Sequence, residues 1–263
     1  MSSLTFVGNA TTVLRLGGFT VLTDPNFLHR GQRAYLGYGL SSKRLVDPAF
    51  PPSSLPKLDA VLLSHMHGDH FDRVARRELD RGLPVFTTGH AARRLDRWGF
   101  SAAEGLKPWE TREIERGGER LRVTSVPGAH GPKLASALMP PVMGSVVELE
   151  RDGRTVLRLY ITGDTLCRPW LAEVAERFPG LDAMVIHLGG TRVLGMLLTM
   201  DGKQGADLVQ LVRPGLTVPV HYEEYGVMKS PLQDFVDEAV VRELPGTLRP
   251  IERGKSIEFT HRP

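Results

Sequence analysis

The stretch Asp59–His70, DAVLLSHMHGDH, decides the fold. Its first half is a continuous apolar run, which is typical of a strand that is buried on both faces. Its second half holds four potential metal ligands within six residues, with His65 and His67 two apart and Asp69 next to His70. Side chains two apart in an extended segment point the same way. We therefore predict that His65 and His67 bind one metal ion.

The composition of this motif indicates the kind of metal site. A turn at Gly68 would direct Asp69 and His70 away from the first pair and towards a second, adjacent ion. Imidazole and carboxylate ligands in this proportion suit Zn²⁺, with Mn²⁺ or Fe²⁺ as alternatives. The competing interpretation is an exposed histidine-rich turn, which the preceding buried strand disfavours. The sequence therefore predicts two divalent metal ions at the end of this strand.

Strand and helix patterns on both sides of the motif predict an α/β fold. Short strands fill the first 23 residues, and a long loop rich in Gly, Pro and Ser covers 24–56. Helices are predicted over 71–81, 89–97, 169–177, 202–212 and 231–243. Further strands are predicted over 84–87, 111–115, 120–126, 144–150, 155–161, 182–187, 216–220 and 255–259. This alternation in both halves favours a four-layer αββα sandwich that forms one domain, 1–263.

The bulk composition argues against several classes of protein. The 263 residues carry 33 basic and 30 acidic side chains. Arg76-Arg77 and Arg93-Arg94 lie on predicted helices, where a solvated face is expected rather than a nucleic-acid footprint. No stretch approaches the ~18 consecutive apolar residues of a membrane span, and the first residues do not resemble a signal peptide. With Cys167 as the single cysteine, no internal disulfide can form, and we expect a cytoplasmic protein.

The spacing H-x-H-x-D-H resembles the signature of the metallo-β-lactamase superfamily, whose fold is the αββα sandwich. The resemblance implies three more ligands, each at the end of a later strand, and each has a counterpart in this sequence. They are His130 in VPGAH, Asp164 in ITGDT and His221 in VPVHY. The resemblance extends over nearly the whole chain, with the ligands in the same order.

The family pattern also assigns the ligands to two ions. It implies that the first ion is held by His65, His67 and His130. It implies that the second ion is held by Asp69, His70 and His221. Asp164 would bridge the two.

The resemblance further implies a reaction. Two adjacent divalent ions activate a shared hydroxide, so we expect hydrolysis of a phosphodiester, lactone or ester bond in a small molecule. Asp69 would orient the nucleophile. His187 ends a predicted strand at the same sheet edge. There it would act as a general acid or as a hydrogen-bond donor behind the ligands. The alternative for His187 is a packed core histidine, and Tyr222 and Tyr225 are weaker candidates for an oxyanion donor.

Other short elements narrow the resemblance. They resemble the branch that contains N-acylphosphatidylethanolamine-hydrolysing phospholipase D and the ascorbate-6-phosphate lactonase-like proteins. These elements are Val21–Pro25, Arg30, Lys43-Arg44 and Leu55-Pro56 ahead of the motif, and Leu188–Gly190 and Thr199–Asp201 after it. For Asp24, a structural turn after a strand is at least as strongly favoured as a role in contacting the substrate. Asp201 opens a predicted helix, so we expect it to act as the N-cap.

Two departures from other members of the superfamily are informative. His67 stands where the oxygen-reducing di-iron members carry a glutamate, which argues against that redox activity. Asp164 stands where the zinc β-lactamases carry a cysteine, so antibiotic hydrolysis is not expected. Cys167 lies three residues too late for that ligand position and is expected to be a buried small side chain.

Two apolar loops, 134–143 and 193–198, are expected to overhang the metals. Such walls suit a substrate with an apolar portion. The alternatives are packing of the loops against each other and a homo-oligomer interface. If the substrate has an anionic group, the basic residues expected to bind it are Arg30, Lys43, Arg44 and Arg192.

Two other functions are alternatives to hydrolysis of a small molecule. A metal-dependent nuclease would need a basic clamp for nucleic acid, and the sequence shows none. A non-catalytic sensor on the same scaffold is disfavoured by the complete set of seven ligands, since decayed members of the family tend to lose ligands.

Overall fold

The computed structural model describes residues 1–132, 139–193 and 195–262. Its first seven-stranded sheet comes from the N-terminal part of the chain and one C-terminal strand. These strands are β1 (Ser2–Gly8), β2 (Thr11–Leu16), β3 (Phe19–Thr23), β6 (Ala60–Leu62), β7 (Val85–Thr88), β8 (Ala103–Leu106) and β18 (Ser256–Phe259). The order across the sheet is β18-β1-β2-β3-β6-β7-β8.

The second seven-stranded sheet follows in the chain. Its strands are β9 (Thr111–Arg116), β10 (Glu119–Pro127), β11 (Met143–Arg151), β12 (Arg154–Ile161), β13 (Ala183–His187), β16 (Leu216–Val220) and β17 (Thr247–Leu248). Their order is β17-β16-β13-β12-β11-β10-β9. Asp152 and Gly153 both have positive φ angles, 51° and 75°, as a two-residue hairpin turn requires. This turn joins β11 to β12 as the sequence predicts.

Helices cover the outer face of each sheet. They are α1 (Arg73–Glu78), α2 (Gly89–Arg97), α3 (Ala172–Arg177), α4 (Gly202–Val212) and α5 (Leu232–Val241). Leu14 and Leu62 of the first sheet share a buried cluster with Leu121 and Val147 of the second. Separate clusters join α1 and α2 to the first sheet and the other three helices to the second. The α/β four-layer αββα sandwich predicted from the sequence is confirmed.

The helix ends have identifiable causes. The Asp72 carboxylate accepts hydrogen bonds from the amides of Val74 and Ala75 at 2.8 Å and so begins α1. The Asp201 carboxylate accepts from the Gln204 amide at 3.1 Å, which confirms the predicted cap of α4. None of the described helices reaches the length and apolar character needed to cross a bilayer.

Several predicted bounds were wrong. The stretch 24–56 is not a plain loop, because it contains the hairpin β4 (Arg33–Gly37) and β5 (Leu40–Lys43) and a short 3-10 turn at 52–54. The predicted helix 71–81 is only α1, since Leu79 adopts an extended conformation. The predicted helix 169–177 begins as a 3-10 turn. A second small hairpin, β14 (Arg192–Val193) with β15 (Met196–Leu197), was not predicted.

The direction of the strands gathers the polar loops at one edge. In the first sheet β3, β6, β7 and β8 are parallel. In the second sheet β12, β13, β16 and β17 are parallel. The carboxyl ends of parallel strands meet at the same edge of a sheet, which is where α/β proteins bind ligands. The predicted ligand segments after β6, β12 and β16 leave from these ends. The segment of His130 leaves from the same edge, because β10 and β12 are both antiparallel to β11 and so run in one direction.

Candidate metal centre

The structure brings all seven predicted metal ligands together. They come from the loop after β6 and from single positions after β10, β12 and β16. All are buried except His67, which is partly exposed. The residues are His65, His67, Asp69, His70, His130, Asp164 and His221.

His65, His67 and His130 form the first group. One ligand atom of each lies within 4.8 Å of the others. His65 Nε2 and His67 Nδ1 are 2.9 Å apart. Nitrogens that share a tetrahedral zinc ion with Zn–N distances of about 2.0–2.1 Å lie roughly 3.3 Å from each other. The spacing of this group therefore fits a single small cation.

Asp69, His70 and His221 form the second group. His70 Nε2 lies 3.2 Å from His221 Nε2 and 3.8 Å from Asp69 Oδ2. The Asp69 oxygen lies 3.5 Å from His221 Nε2. His221 has a φ angle of 60°, which is uncommon for a residue with a side chain. Its amide donates to the Asn9 carbonyl oxygen at 2.8 Å, and this bond helps to hold the loop in place.

Asp164 lies between the two groups. Its Oδ2 is 3.2 Å from His70 Nε2, and its Oδ1 is 3.5 Å from His221 Nδ1. Asp164 also lies within 4.8 Å of His65 of the first group, counted between ligand atoms. This position fits a carboxylate that is shared by two ions.

Unpartnered polar atoms support metal binding. Both ring nitrogens of His130, Oδ1 of Asp69 and Oδ1 of Asp164 are buried without a hydrogen-bond partner among the described residues. A buried polar atom without a partner costs about 1–3 kcal/mol. Four such atoms in one cluster are explained if cations bind there, so these residues fit divalent metals.

The charges at the centre point the same way. Burial lowers the pKa of His65 well below its ordinary value and lowers that of His67 to about 3, so both imidazoles are neutral. Neutral imidazole is the form that binds metals. Burial would also lower the pKa of His70, but Asp164, Asp24 and Asp69 raise it well above its ordinary value. Three carboxylates around one imidazole make this position strongly favourable for positive charge.

Asp24 belongs to the centre, where it contacts His70 and His187. Its Oδ2 lies 3.2 Å from His70 Nδ1 and 3.3 Å from His187 Nε2. Its Oδ1 accepts hydrogen bonds from the amide of Ser64 at 2.7 Å and from the Ser64 hydroxyl at 2.9 Å. A signal was present, because Asp24 directly follows β3 and β3 pairs in parallel with β6. A carboxylate behind a histidine ligand fixes its ring orientation.

His187 lies at the predicted sheet edge, behind the ligands. It is fully buried. Its Nδ1 lies 3.3 Å from the Thr162 hydroxyl, and its Nε2 faces Asp24. Because both ring nitrogens face hydrogen-bonding partners, this position favours a role for His187 as a hydrogen-bond donor behind the ligands over a role as general acid.

The remaining candidates lie elsewhere. The Tyr225 hydroxyl donates to Asn26 Oδ1 at 2.9 Å. Tyr222 packs on Phe6, with ring centroids 6.4 Å apart. Arg44 is buried against Glu224. Burial raises the pKa of the partly exposed Cys167 to about 11, which does not suit a thiolate ligand.

A cavity of about 760 Å³ opens beside His67. Met139, Pro140 and Pro141 line it, so the described end of the predicted 134–143 wall is present, whereas Leu134 and Leu138 lie outside the described residues. The predicted 193–198 wall does not line this cavity in its described part. Leu194 lies outside the described residues. Of the basic residues predicted to receive an anion (Arg30, Lys43, Arg44 and Arg192), none lines it either.

An αββα sandwich with a histidine–aspartate cluster at the carboxyl ends of its strands defines a metal-binding protein of the metallo-β-lactamase fold. The sequence profile described as "Beta-lactamase superfamily domain" matches residues 20–222. The chain therefore belongs to the β-lactamase superfamily.

Individual relatives agree with this assignment. A protein of Aeropyrum pernix named a UPF0173 metal-dependent hydrolase is 25% identical, and the match covers 98% of each chain. The structure is similar to an isothiocyanate hydrolase from Delia radicum gut bacteria, with a TM-score of 0.81, 20% identity and coverage of 98% and 99%. It is equally similar, at a TM-score of 0.81, to a possible metal-dependent hydrolase from Veillonella parvula, with 22% identity and the same coverage.

Proposed function

We propose that this protein is a hydrolase that uses two divalent metal ions to act on a small molecule. Zn²⁺ is the metal that we propose for both positions. The observation that carries the proposal is the convergence of seven ligand side chains, three of which have buried polar atoms without a hydrogen-bond partner among the described residues. The curated relatives named metal-dependent hydrolases support the same reaction class.

In this proposal the chain supplies two ligand groups and a bridge. His65, His67 and His130 hold one ion, and Asp69, His70 and His221 hold the other. Asp164 is shared between them. When bound, such a pair supplies an activated water nucleophile and stabilises negative charge that develops on the substrate.

Two residues have proposed roles beside the ligands. Asp69 orients the attacking water through Oδ1, which has no hydrogen-bond partner among the described residues. His187 positions Asp24, and Asp24 in turn positions His70, because the three side chains lie in contact. His187 is therefore proposed as a positioning residue, while the proton for the leaving group comes from another source.

The proposed substrate carries a lactone, ester or phosphodiester bond and an apolar portion. Met66, Phe71 and Met139 line the cavity beside His67, and their side chains suit an apolar group. Lactones and phosphodiesters also agree with the branch that Thr23–Pro25 and Leu188–Gly190 resemble. A cytoplasmic location and a possible homo-oligomer remain predictions.

The test is a screen of purified, zinc-loaded protein. The substrates are a lactone, a carboxylic ester, a thioester, a phosphodiester and, because one structural relative is an isothiocyanate hydrolase, an isothiocyanate. Single-stranded RNA and DNA test the nuclease alternative. We expect turnover of at least one small substrate, and loss of about 10²-fold or more in Asp69→Asn.

The matched control is Asp47→Asn, which removes an exposed carboxylate that is not one of the seven ligands. It should turn over substrate at the wild-type rate. Cleavage of nucleic acid without turnover of any small substrate would support the nuclease function in place of the proposed one. Metal binding without turnover of any substrate would favour the sensor.

A further inference from the structure

The cavity beside His67 has an unusual distribution of charge. Four arginines line it, and none of them lies within 4.0 Å of a carboxylate among the described residues. They are Arg33 on β4, Arg73 and Arg76 on α1, and Arg94 on α2. The lining carries one carboxylate, Asp72, whose oxygens accept four backbone hydrogen bonds. The cavity therefore has a net positive charge that the protein itself does not neutralise.

Two of these arginines are held in place by a tryptophan. The Arg76 guanidinium carbon lies 4.4 Å from the centroid of the Trp98 ring, and that of Arg94 lies 4.9 Å from it. Stacking on an aromatic face leaves the N–H edges of a guanidinium free to donate. A planar, fork-shaped donor set of this kind suits a carboxylate or a phosphate.

Apolar side chains also line the cavity. Phe71 and Met139 are among them. A ligand that fills this cavity would place an anionic end at the arginines and an apolar body beside His67.

We propose that this cavity is the subsite for an anionic group of the substrate, a carboxylate or a phosphate, with Arg76 and Arg94 as the recognising residues. The proposal rests on the proposed hydrolase function. It narrows the substrate to an anion that carries an apolar or aromatic body and a hydrolysable bond within reach of the metal centre.

The first experiment measures binding without turnover. Benzoate, phenyl phosphate and neutral benzamide are titrated into the zinc-loaded protein by calorimetry, with the wild type, R76A/R94A and the control R93A. Arg93 is exposed on α2, the helix that carries Arg94, but it does not line the cavity. We expect an anion to bind at least tenfold more tightly than benzamide, and R76A/R94A to lose about 10–100-fold of that affinity. R93A should bind like the wild type.

The two anions distinguish the chemistry of the head group. Tighter binding of benzoate assigns the subsite to a carboxylate, and tighter binding of phenyl phosphate assigns it to a phosphate. R76K/R94K should recover part of the affinity, because it keeps the charge but loses the planar fork. Affinity that survives R76A/R94A would mean that the anion binds elsewhere, at the metals for example, and would overturn the proposal. So would equal binding of benzamide and the anions.

The second experiment separates the subsite from the reaction. With phenyl acetate and 4-acetoxybenzoate as a neutral and an anionic ester, R76A/R94A should raise KM for the anionic ester about tenfold or more and leave kcat nearly unchanged. The kinetics of phenyl acetate should not change. An unchanged KM for both esters in R76A/R94A would contradict the subsite alone. If neither ester is turned over, the proposed ester hydrolysis fails, while the calorimetry still decides the subsite.

Discussion

At the scale of single residues, Asp24 shows how much of a metal centre lies outside its ligands. One oxygen of the carboxylate accepts from the Ser64 amide and hydroxyl, and the other faces His70 and His187. The attraction of His70 and His187 outweighs the effect of burial and lowers the pKa of Asp24 to about 2. Asp24 is therefore a charged group that holds the ring of His70 in one orientation.

We predict that Asp24→Asn weakens metal binding without unfolding the protein. Asparagine has the same shape and tolerates the left-handed backbone of this position, where φ is 35°. Its amide can present an N–H where His70 requires an acceptor, so the ligand loses its orientation. Loss of such a partner typically costs 10–100-fold in metal affinity. Competition with a chromogenic chelator measures the change, and Asp47→Asn serves as the control. Unchanged affinity in Asp24→Asn would refute the role.

The same residue shows where prediction from sequence ends. The ligands in DAVLLSHMHGDH could be predicted because their spacing is local. Asp24 meets His187 across 163 positions of sequence, and no local pattern encodes that contact. Asp24 follows β3 of the first sheet and His187 ends β13 of the second, so the packing of the two sheets creates the contact, and packing is a property of the folded protein.

At the scale of elements, the hairpin β4–β5 is a part of the fold that the sequence pattern does not predict. The side chains of Tyr35, Tyr38 and Leu40 are exposed although they are aromatic or apolar, so no alternation of apolar and polar residues marks the strands in the sequence. Strands and helices with a clear apolar pattern, such as α4, could be predicted to the residue. The hairpin is instead held by contacts that are distant in sequence.

Two contacts anchor this hairpin to the centre. The Gly68 amide donates to the Tyr35 carbonyl at 2.8 Å, and a Cβ at Gly68 would lie 2.7 Å from the Tyr35 backbone. Only glycine fits there. At the base of the hairpin, the buried Arg44 guanidinium pairs with Glu224 at 2.8 Å and donates to Asn26.

We predict that Arg44→Met destabilises the protein by about 3 kcal/mol, because it leaves Glu224 buried with only the more distant Arg253 as a charged partner. The control is Lys43→Met, the exposed neighbour on the same hairpin, which should change the free energy of unfolding by less than about 0.5 kcal/mol. Urea denaturation of both variants measures the difference. Equal stability of the two variants would show that the buried pair does not anchor the hairpin.

At the scale of the whole molecule, the metal centre joins the two sheets. His65, His67, Asp69 and His70 follow a strand of the first sheet, whereas His130, Asp164 and His221 follow strands of the second. Each proposed ion would have ligands from both sheets. Metal binding would therefore stabilise the packing of one half of the sandwich against the other.

This arrangement predicts that zinc stabilises the folded protein in two steps. A ligand that binds only the folded state contributes about 4.1 kcal/mol at a concentration 1,000 times its Kd. For a chain of this size, each kcal/mol raises Tm by about 2–4 °C. We therefore expect chelated protein to gain roughly 8–16 °C for each ion that binds at such a concentration.

Thermal unfolding at increasing zinc-to-protein ratios measures the stoichiometry. The rise in Tm should level off at about two equivalents, and elemental analysis should find about two metals per chain. The double variant His65→Ala/His67→Ala removes one ligand group and should level off at about one equivalent, because the second group keeps all its side chains. Asp164→Asn should weaken both steps, since Asp164 lies between the groups. A wild-type protein that levels off at one equivalent would contradict the bridging role of Asp164, because a single ion leaves no second metal to share.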